Sequence, residues 1–221
     1  MKKNSSLKNI TQLLFIIFFV CLMCVYLNSA NDSIDLYPIK TKSMRGHEGY
    51  IDPEEGGVLL LENLQTSNHI KDNSGIDYSI KSARGGLVTQ AWCMHGNGLG
   101  EWFKADVPPD QLVFKGITNI FRLKIMNGLA ANKELYYANN RVKTIEIEFS
   151  EGEKRILHLS DGELDYQYFL VNIKARWFKM TIRDIFKGKK YNDTCIGKIK
   201  FETRTHPDDM TPEDRKYYGY E

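Results

Sequence analysis

The sequence predicts an all-β protein whose strands form an antiparallel β-sandwich. Apolar and polar residues alternate in several short runs, which is typical of strands with one buried face. Turn residues separate these runs, and no stretch of ten residues has convincing helical periodicity. Many short strands joined by regular turns favour an antiparallel sandwich or, as the alternative, a barrel.

Residues 1–30 are expected to be a targeting segment rather than part of the fold. Three lysines precede an uninterrupted apolar run over residues 13–27, and small polar residues follow it. This layout is typical of a secretory signal peptide, and the run is shorter than the about 20 residues that a spanning helix needs. An uncleaved N-terminal anchor and lipidation at Cys24 are the alternatives.

Residues 31–202 are expected to form one domain, followed by a charged surface tail over residues 203–221. Residues 31–85 are the less regular part of this domain, and Tyr78 and Ile80 suggest the start of a strand within it.

The stretch Ala91–Phe103, AWCMHGNGLGEWF, predicts a strand, a tight glycine loop and a second strand. Alternating glycines allow positive φ or a close approach of another chain segment. Trp92 and Trp102 flank the loop as apolar anchors, and each is expected to be buried with its indole N–H hydrogen bonded. The glycines are Gly96, Gly98 and Gly100.

Later in the chain the alternation is clearer. In Lys143–Phe149 every second residue is apolar, and Glu151-Gly152 after it is typical of a hairpin turn. The runs that alternate are Phe121–Ile125, Lys143–Phe149, Arg155–Leu159, Trp177–Ile182 and Gly197–Phe201.

The charge balance argues against a nucleic-acid partner. Residues 1–30 contain three of the 30 basic residues and none of the 28 acidic ones, so the rest of the chain carries a net charge of −1. A nucleic-acid-binding domain is expected to be basic.

Two cysteines, Cys93 and Cys195, remain after the targeting segment. An exported chain reaches an oxidising compartment, and two cysteines allow one intramolecular pairing, so a disulfide is favoured. It would tie the strand before the glycine loop to the last strand. Two buried free thiols are the alternative.

The order and spacing of unusual residues resemble one family, the NADase-type glycan-binding domain. The matching segments are AWCMHGNGLGEWF (Ala91–Phe103), IMNGLAANKELYYANNRVKTIEIEF (Ile125–Phe149), HLSDGELDYQYF (His158–Phe169) and IRDIFKGKKYNDTCIGKIKF (Ile182–Phe201). The resemblance implies a jelly-roll β-sandwich of the galactose-binding-like, discoidin-like type. It also implies an exported, non-catalytic module of bacterial origin that binds a carbohydrate.

Two positions depart from the family pattern. Where the family has an acidic turn suited to a structural calcium ion, this chain has Ala83-Arg84-Gly85-Gly86-Leu87-Val88 with no acid. Calcium prefers several oxygen ligands including carboxylates, which places that ion in doubt. Lys198 stands where the family often has a glutamate. These departures keep open an alternative function, a protein-binding module of the cell envelope with the same fold.

Five residues are the candidates for ligand binding: Asn127, Tyr136, Asn140, Arg141 and Asp193. Arginine and asparagine offer several planar donors for sugar hydroxyls or a sugar acid, and Tyr136 with its neighbour can stack on a sugar face. Each also has a structural interpretation: Arg141 pairs with a buried acid, Asn140 and Asn127 belong to turns, and Tyr136 is buried at a strand end. Asp193 either holds Arg141 or is only a turn residue.

Signals for catalysis are weak. The sequence has no nucleophile elbow, and its five histidines lack metal-ligand spacing. Glycosidase chemistry needs two carboxylates held about 5–9 Å apart, and Glu101, Asp161 and Asp193 qualify only as acids in loops. The sequence therefore predicts a protein that is not an enzyme and has no cofactor or metal. We expect it outside the cell or in the cell envelope, with membrane contact only if residues 13–27 stay uncleaved.

Overall fold

A computed structural model describes residues 33–39, 57–71, 75–84, 90–108, 118–203, 208 and 210–217. These residues form eleven strands and three short helices. The strands are β1 Ser33–Leu36, β2 Gly57–Val58, β3 Glu62–Thr66, β4 Trp92–Met94, β5 Trp102–Asp106, β6 Thr118–Asn127, β7 Asn140–Phe149, β8 Lys154–His158, β9 Tyr166–Ala175, β10 Trp177–Phe186 and β11 Thr194–Thr203. The helices are α1 Ile80–Arg84, α2 Lys133–Ala138 and α3 Pro212–Tyr217.

The strands divide into two layers. The front sheet has the order β1-β8-β7-β10-β5-β3, and the back sheet has the order β9-β6-β11, with β4 and β2 along the far edge of β11. A short parallel pairing joins the layers where Asn140 and Arg141 of β7 lie beside Thr194 and Cys195 of β11. Apart from this pairing and the parallel pair β1–β8, the named strands pair antiparallel.

Aromatic side chains from both layers meet in the core. Phe178 of the front sheet stacks on Phe201 of the back sheet, with ring centroids 4.1 Å apart. Phe103 packs edge-on against Phe178 at 5.5 Å and against Trp92 of β4 at 5.6 Å. Such edge-on and offset contacts fill a core with few gaps. The predicted all-β antiparallel sandwich is confirmed.

The alternating runs of the sequence become strands, and β7, β8 and β10 show the expected faces. In β6 and β11 the prediction of an exposed polar face is wrong, because every residue of β6 and all but one residue of β11 are buried. In β7 the side chains of Ile145, Ile147 and Phe149 are buried, and the residues between them are partly exposed. Gly152 has φ +92° in the turn between β7 and the antiparallel β8, so the predicted hairpin is confirmed.

One local prediction is wrong, and one strand of the structure was not predicted. Ile80 begins helix α1 rather than a strand, and its apolar side chain is buried together with that of Ala83. The strand β9 was not anticipated: its outward positions include Tyr168 and Leu170, which blur the alternation with the buried Phe169.

Lys198 lies beneath helix α1. Its side chain is 2 % exposed, and its Nζ donates a hydrogen bond to the carbonyl oxygen of Ser82 at 3.0 Å. Burial lowers the pKa of this lysine, with a smaller contribution from the charge of Lys200. The residue that departs from the family pattern thus attaches α1 to the back sheet.

The predicted leader, residues 1–30, lies outside the described residues. Within the described part of the chain, no helix is both long enough and apolar enough to span a membrane. Of the predicted tail, residues 212–217 form α3, and Met210 is buried.

Candidate functional site

Four connections meet at one end of the sandwich, which we call the loop end. They are residues 95–101, 128–139, 159–165 and 187–193. Strand register places them together, because Met126 pairs with Tyr166, Phe186 with Arg141, and Thr194 with both Met94 and Asn140.

The glycine loop is attached to this end by close packing and by a covalent bond. Gly96, Gly98 and Gly100 have φ between +68° and +80°, as the sequence predicts. A Cβ on Gly98 would lie 2.7 Å from the Cβ of Thr194, so only glycine fits there. Beside it, Cys93 and Cys195 form the predicted disulfide between β4 and β11.

The tryptophans that flank this loop differ in burial. Trp92 is 1 % exposed, and its Nε1 donates to the carbonyl oxygen of Asn68 at 2.9 Å, as expected. Trp102 is only partly buried because it lies on the outward face of β5. Between the loop and Trp102, the Glu101 carboxylate accepts hydrogen bonds from Ser67 Oγ and from Asn68 Nδ2.

Arg141 is the centre of the loop end. Its Nε donates to Asp161 Oδ1 at 3.0 Å and its Nη2 to Asp161 Oδ2 at 2.9 Å, a bidentate ion pair. Nη1 donates to the carbonyl oxygen of Asn139 at 3.0 Å. The guanidinium lies 5.3 Å from the ring centroids of both Tyr136 and Tyr137. Arg141 therefore pairs with Asp161, twenty positions later in the chain.

The two partners of this pair differ in exposure. The Arg141 side chain is 5 % exposed, and that of Asp161 is 37 % exposed. Partial burial acts to raise the pKa of Asp161, but the hydrogen bonds and charge of Arg141 and the Gly162 N–H outweigh it and lower the pKa. The carboxylate therefore stays ionised and fixed in orientation while part of it faces water.

Tyr136 supports the same carboxylate from below. Its ring is fully buried, and its hydroxyl accepts from the Gly162 N–H at 3.0 Å and lies 3.4 Å from Asp161 Oδ1. Burial raises the pKa of Tyr136 to about 12, against a smaller lowering by the Gly162 hydrogen bond. The hydroxyl is therefore neutral at physiological pH.

Asn127 joins β6 to β7, and Asn140 joins β7 to the connection that follows β10. Asn127 Nδ2 donates to the carbonyl oxygen of Val142 at 2.7 Å, and its Oδ1 accepts from the Val142 N–H at 3.0 Å. Asn140 Nδ2 donates to the carbonyl oxygen of Asn192 at 2.7 Å, and its Oδ1 accepts from the Gly188 N–H at 2.7 Å. Both side chains are fully buried.

The structure therefore brings all five candidate residues to one end. Four are buried with protein partners: Asn127, Tyr136, Asn140 and Arg141. Asp193 is partly buried, and its carbonyl oxygen accepts from the Asn140 N–H at 2.9 Å. Direct ligand contact by these residues stays a prediction.

The side chains that face water at the loop end are mostly others. Asp161 and Tyr137 lie above the buried Arg141, and Tyr191 is 43 % exposed beside Lys190, whose Nζ is 4.9 Å from its ring centroid. Lys189 Nζ is 5.5 Å from the centroid of the Tyr137 ring. In the sequence, Asp161 stands out only as an acid in a loop. Its pairing with Arg141 depends on the register of the strands.

Residues 55–202, about two thirds of the chain, match the family described as NAD glycohydrolase translocation F5/8 type C domain. The chain belongs to this family. The expected discoidin-like type of sandwich is thereby confirmed. None of the curated proteins matches the sequence of this F5/8 type C domain.

Solved structures similar to this F5/8 type C domain include three carbohydrate-binding module family 32 (CBM32) proteins. The CBM32-1 and CBM32-2 domains of Clostridium perfringens ZmpB in complex with GalNAc have 9% identity and TM-score 0.49, covering 79% of this chain and 41% of that chain. The C. perfringens NanJ module in complex with galactose has 13% identity and TM-score 0.42, covering 63% and 91%. The AlyQ module in complex with 4,5-unsaturated mannuronic acid has 10% identity and TM-score 0.41, covering 66% and 97%.

Residues 83–88 stand where the family has the acidic turn suited to calcium. This segment lies mainly outside the described part of the chain, since residues 85–89 are not described. In the part of the chain that the structure does describe, no three His, Cys, Asp or Glu side chains lie together as a metal site.

Proposed function

We propose that this chain is an exported, non-catalytic carbohydrate-binding module that recognises a glycan at the loop end. The observation that carries the proposal is the half-exposed Asp161 carboxylate, held in a fixed orientation by the buried Arg141. Membership of the F5/8 type C domain family supports a binding module rather than another use of the sandwich.

Asp161 is suited to accept hydrogen bonds from sugar hydroxyls. A carboxylate has about four acceptor sites, two on each oxygen. Asp161 Oδ1 already accepts from Arg141, from the Gly162 N–H and from the Tyr136 hydroxyl, so Oδ2, which accepts from Arg141 Nη2, is the oxygen with a site left for a sugar. Because Arg141 and the Gly162 N–H keep the group ionised, its hydrogen bonds to a sugar are charge-assisted. The orientation exists before the ligand arrives, which lowers the entropy lost on binding.

Aromatic rings beside Asp161 provide the apolar half of a sugar site. Tyr137 is partly buried against Tyr136, with ring centroids 5.0 Å apart, and Tyr191 is exposed on the neighbouring connection. The hydrogen bond from Tyr191 N–H to the carbonyl oxygen of Ala138 holds that connection against the end of α2 at 2.8 Å. Rings held in this way give contact area at little entropic cost.

In this proposal the buried candidates act as supports. Asn127 and Asn140 hold the connections in register, and Arg141 and Tyr136 orient Asp161. Asp193 lies on the same connection as Tyr191, and its carboxylate is the second proposed ligand contact. The Cys93–Cys195 disulfide fixes the strands below and supports export to an oxidising compartment.

A glycan array probed with the full chain tests the proposal. We expect binding to a defined subset of sugars, and binding to none would overturn it. Asp161→Asn should weaken binding about tenfold, since one charge-assisted contact is lost. The matched control is Glu151→Gln, a carboxylate 40% exposed and paired with Arg176 at the opposite end of the sandwich. Equal binding by both variants would contradict the site.

Two further assays separate this function from its competitors. The family description names NAD glycohydrolase, so the chain is incubated with NAD, and we expect no release of nicotinamide. A protein from the cell envelope that binds the chain, and that the array sugars fail to displace, would favour the protein-binding alternative instead.

A further inference from the structure

The outward face of the front sheet carries a second set of aromatic and basic side chains. In β5 the buried Phe103 and Ala105 alternate with Trp102 and Lys104. In β10 the buried Phe178 and Met180 alternate with Trp177 and Lys179 in the same way. Because β5 and β10 are neighbours, these four outward residues form one patch, which we call the Trp-Lys face: Trp102, Lys104, Trp177 and Lys179.

Each indole of this face has an ammonium group over it. Lys104 Nζ lies 4.4 Å from the centroid of the Trp177 ring, and Lys179 Nζ lies 4.8 Å from that of the Trp102 ring. All four side chains are partly exposed. The contacts run diagonally between the strands, so the indole ring of each strand is covered by the lysine of the other strand.

The repulsion between the two lysines destabilises the sheet. Lys104 and Lys179 lie directly opposite each other, where like charges destabilise a sheet. The other neighbour of Lys104 is Gln65 on β3, and that of Lys179 is Glu148 on β7. Within the described part of the chain, neither ammonium has a carboxylate within 4.0 Å. An anion between the two lysines would remove their repulsion.

We propose that the Trp-Lys face binds an acidic polysaccharide, a sugar chain that carries carboxylate or sulfate groups. The ammonium groups would pair with the acid groups of the chain, and the indole rings would contact the C–H faces of its sugars. The outward face of a sheet, unlike a pocket, is open at both ends, so it suits the interior of a sugar chain rather than a single terminal sugar. This site is separate from the loop end and does not depend on the function proposed for it.

Two other occupants fit the face less well. Binding to a lipid surface needs rings that project into the bilayer interface, whereas both indoles lie partly buried beneath lysines. A protein interface is expected to have exposed apolar residues at its centre. In the described part of the chain, β5, β7 and β10 carry no fully exposed large apolar side chain.

The first test measures binding of the full chain to polygalacturonate, which is carboxylated, to heparin, which is sulfated, and to neutral dextran. We expect binding to at least one acidic chain, decreasing with salt because the contact is between exposed charges. The double variant Lys104→Gln, Lys179→Gln should bind about tenfold more weakly, since two charge-assisted contacts are lost.

The matched control is Lys189→Gln, Lys190→Gln, which removes the same charge at the loop end. This control variant should bind the acidic polysaccharide as the wild type does. If it loses binding on the glycan array, that loss reports on the loop end alone. Equal binding by the two double variants, or failure of the wild type to bind either acidic chain, would overturn the proposal. Melting temperatures of both variants confirm that they fold.

Tryptophan fluorescence locates the contact. The chain has three tryptophans, and Trp92 is 1 % exposed, so quenching by acrylamide reports on Trp102 and Trp177. The bound polysaccharide should reduce this quenching, and unchanged quenching at saturation would place the ligand elsewhere. Vesicles of phosphatidylcholine and phosphatidylserine are the last arm: binding to vesicles without binding to either polysaccharide would overturn the proposal in favour of a membrane surface.

Discussion

Two ion pairs in this molecule have an equally buried arginine and differ in their acid. At the loop end, Arg141 holds Asp161, whose side chain is 37% exposed. On the back sheet, Arg122 and Lys124 share Glu202, whose side chain is 2% exposed. Aromatic rings accompany both pairs, since Arg122 and Lys124 lie 5.5 Å and 5.4 Å from the centroid of the Tyr168 ring.

The difference in exposure separates a structural charge from an accessible one. Glu202 has both oxygens occupied by buried cations, so it can only stabilise the sheet. The Asp161 carboxylate is fixed by Arg141 while its side chain stays 37% exposed, which is the arrangement that the proposed glycan contact needs. A buried arginine therefore supports the proposed site at the loop end only because its partner acid is not buried with it.

The largest effect expected is from removing the buried acid. Glu202→Gln leaves the buried Arg122 and Lys124 without a countercharge, which should lower the free energy of unfolding by about 4 kcal/mol. Urea denaturation measures it. The control Glu146→Gln breaks an exposed pair with Arg183 and should cost below about 1 kcal/mol. Similar losses in both variants would contradict the distinction.

The disulfide at the loop end should have the next largest effect. Cys93 and Cys195 are 102 residues apart in the sequence, and removing a disulfide typically destabilises a domain by about 3 kcal/mol. The double variant Cys93→Ser, Cys195→Ser should therefore unfold at lower urea concentration. Since the bond lies beside Arg141, glycan binding should weaken as well. Stability equal to that of the wild type would show that the bond does not constrain the chain.

Gly128 tests how closely Arg141 and Tyr136 are packed. Its φ is +64°, and an added Cβ would lie 2.7 Å from Arg141 Cγ. Gly128→Ala should cost about 2 kcal/mol, from backbone strain and displacement of the arginine. Gly152→Ala is the control, because Gly152 has φ +92° and open space around its Cα, so it should cost only the strain. Denaturation midpoints compare the two, and a larger loss at Gly152 would contradict the close packing.

The sequence predicted the sheet better than it predicted the loop end. Strong alternation identified β7, and the two cysteines outside the leader allowed one pairing, which the structure contains. The partner of Arg141 could not be chosen from sequence, because Asp161 and Asp193 follow different connections to the same end. Only the register of β7 against β8 brings Asp161 into contact with the guanidinium. Lys198, which the sequence marked as a departure, serves α1 rather than the loop end.

The smallest effect expected is a pH dependence of the half-exposed pair. The pKa of Asp161 is below its ordinary value of 3.8 in the folded protein, so its ionised form contributes stability that is complete above that value. This contribution is lost as the pH falls through the folded pKa, because protonation then removes the pairing with Arg141. Urea midpoints from pH 6 to pH 2 should therefore fall more steeply in the wild type than in Asp161→Asn. Parallel curves would mean that Arg141 gains nothing from the charge of Asp161, and the carboxylate would then lack the fixed orientation on which glycan recognition at the loop end depends.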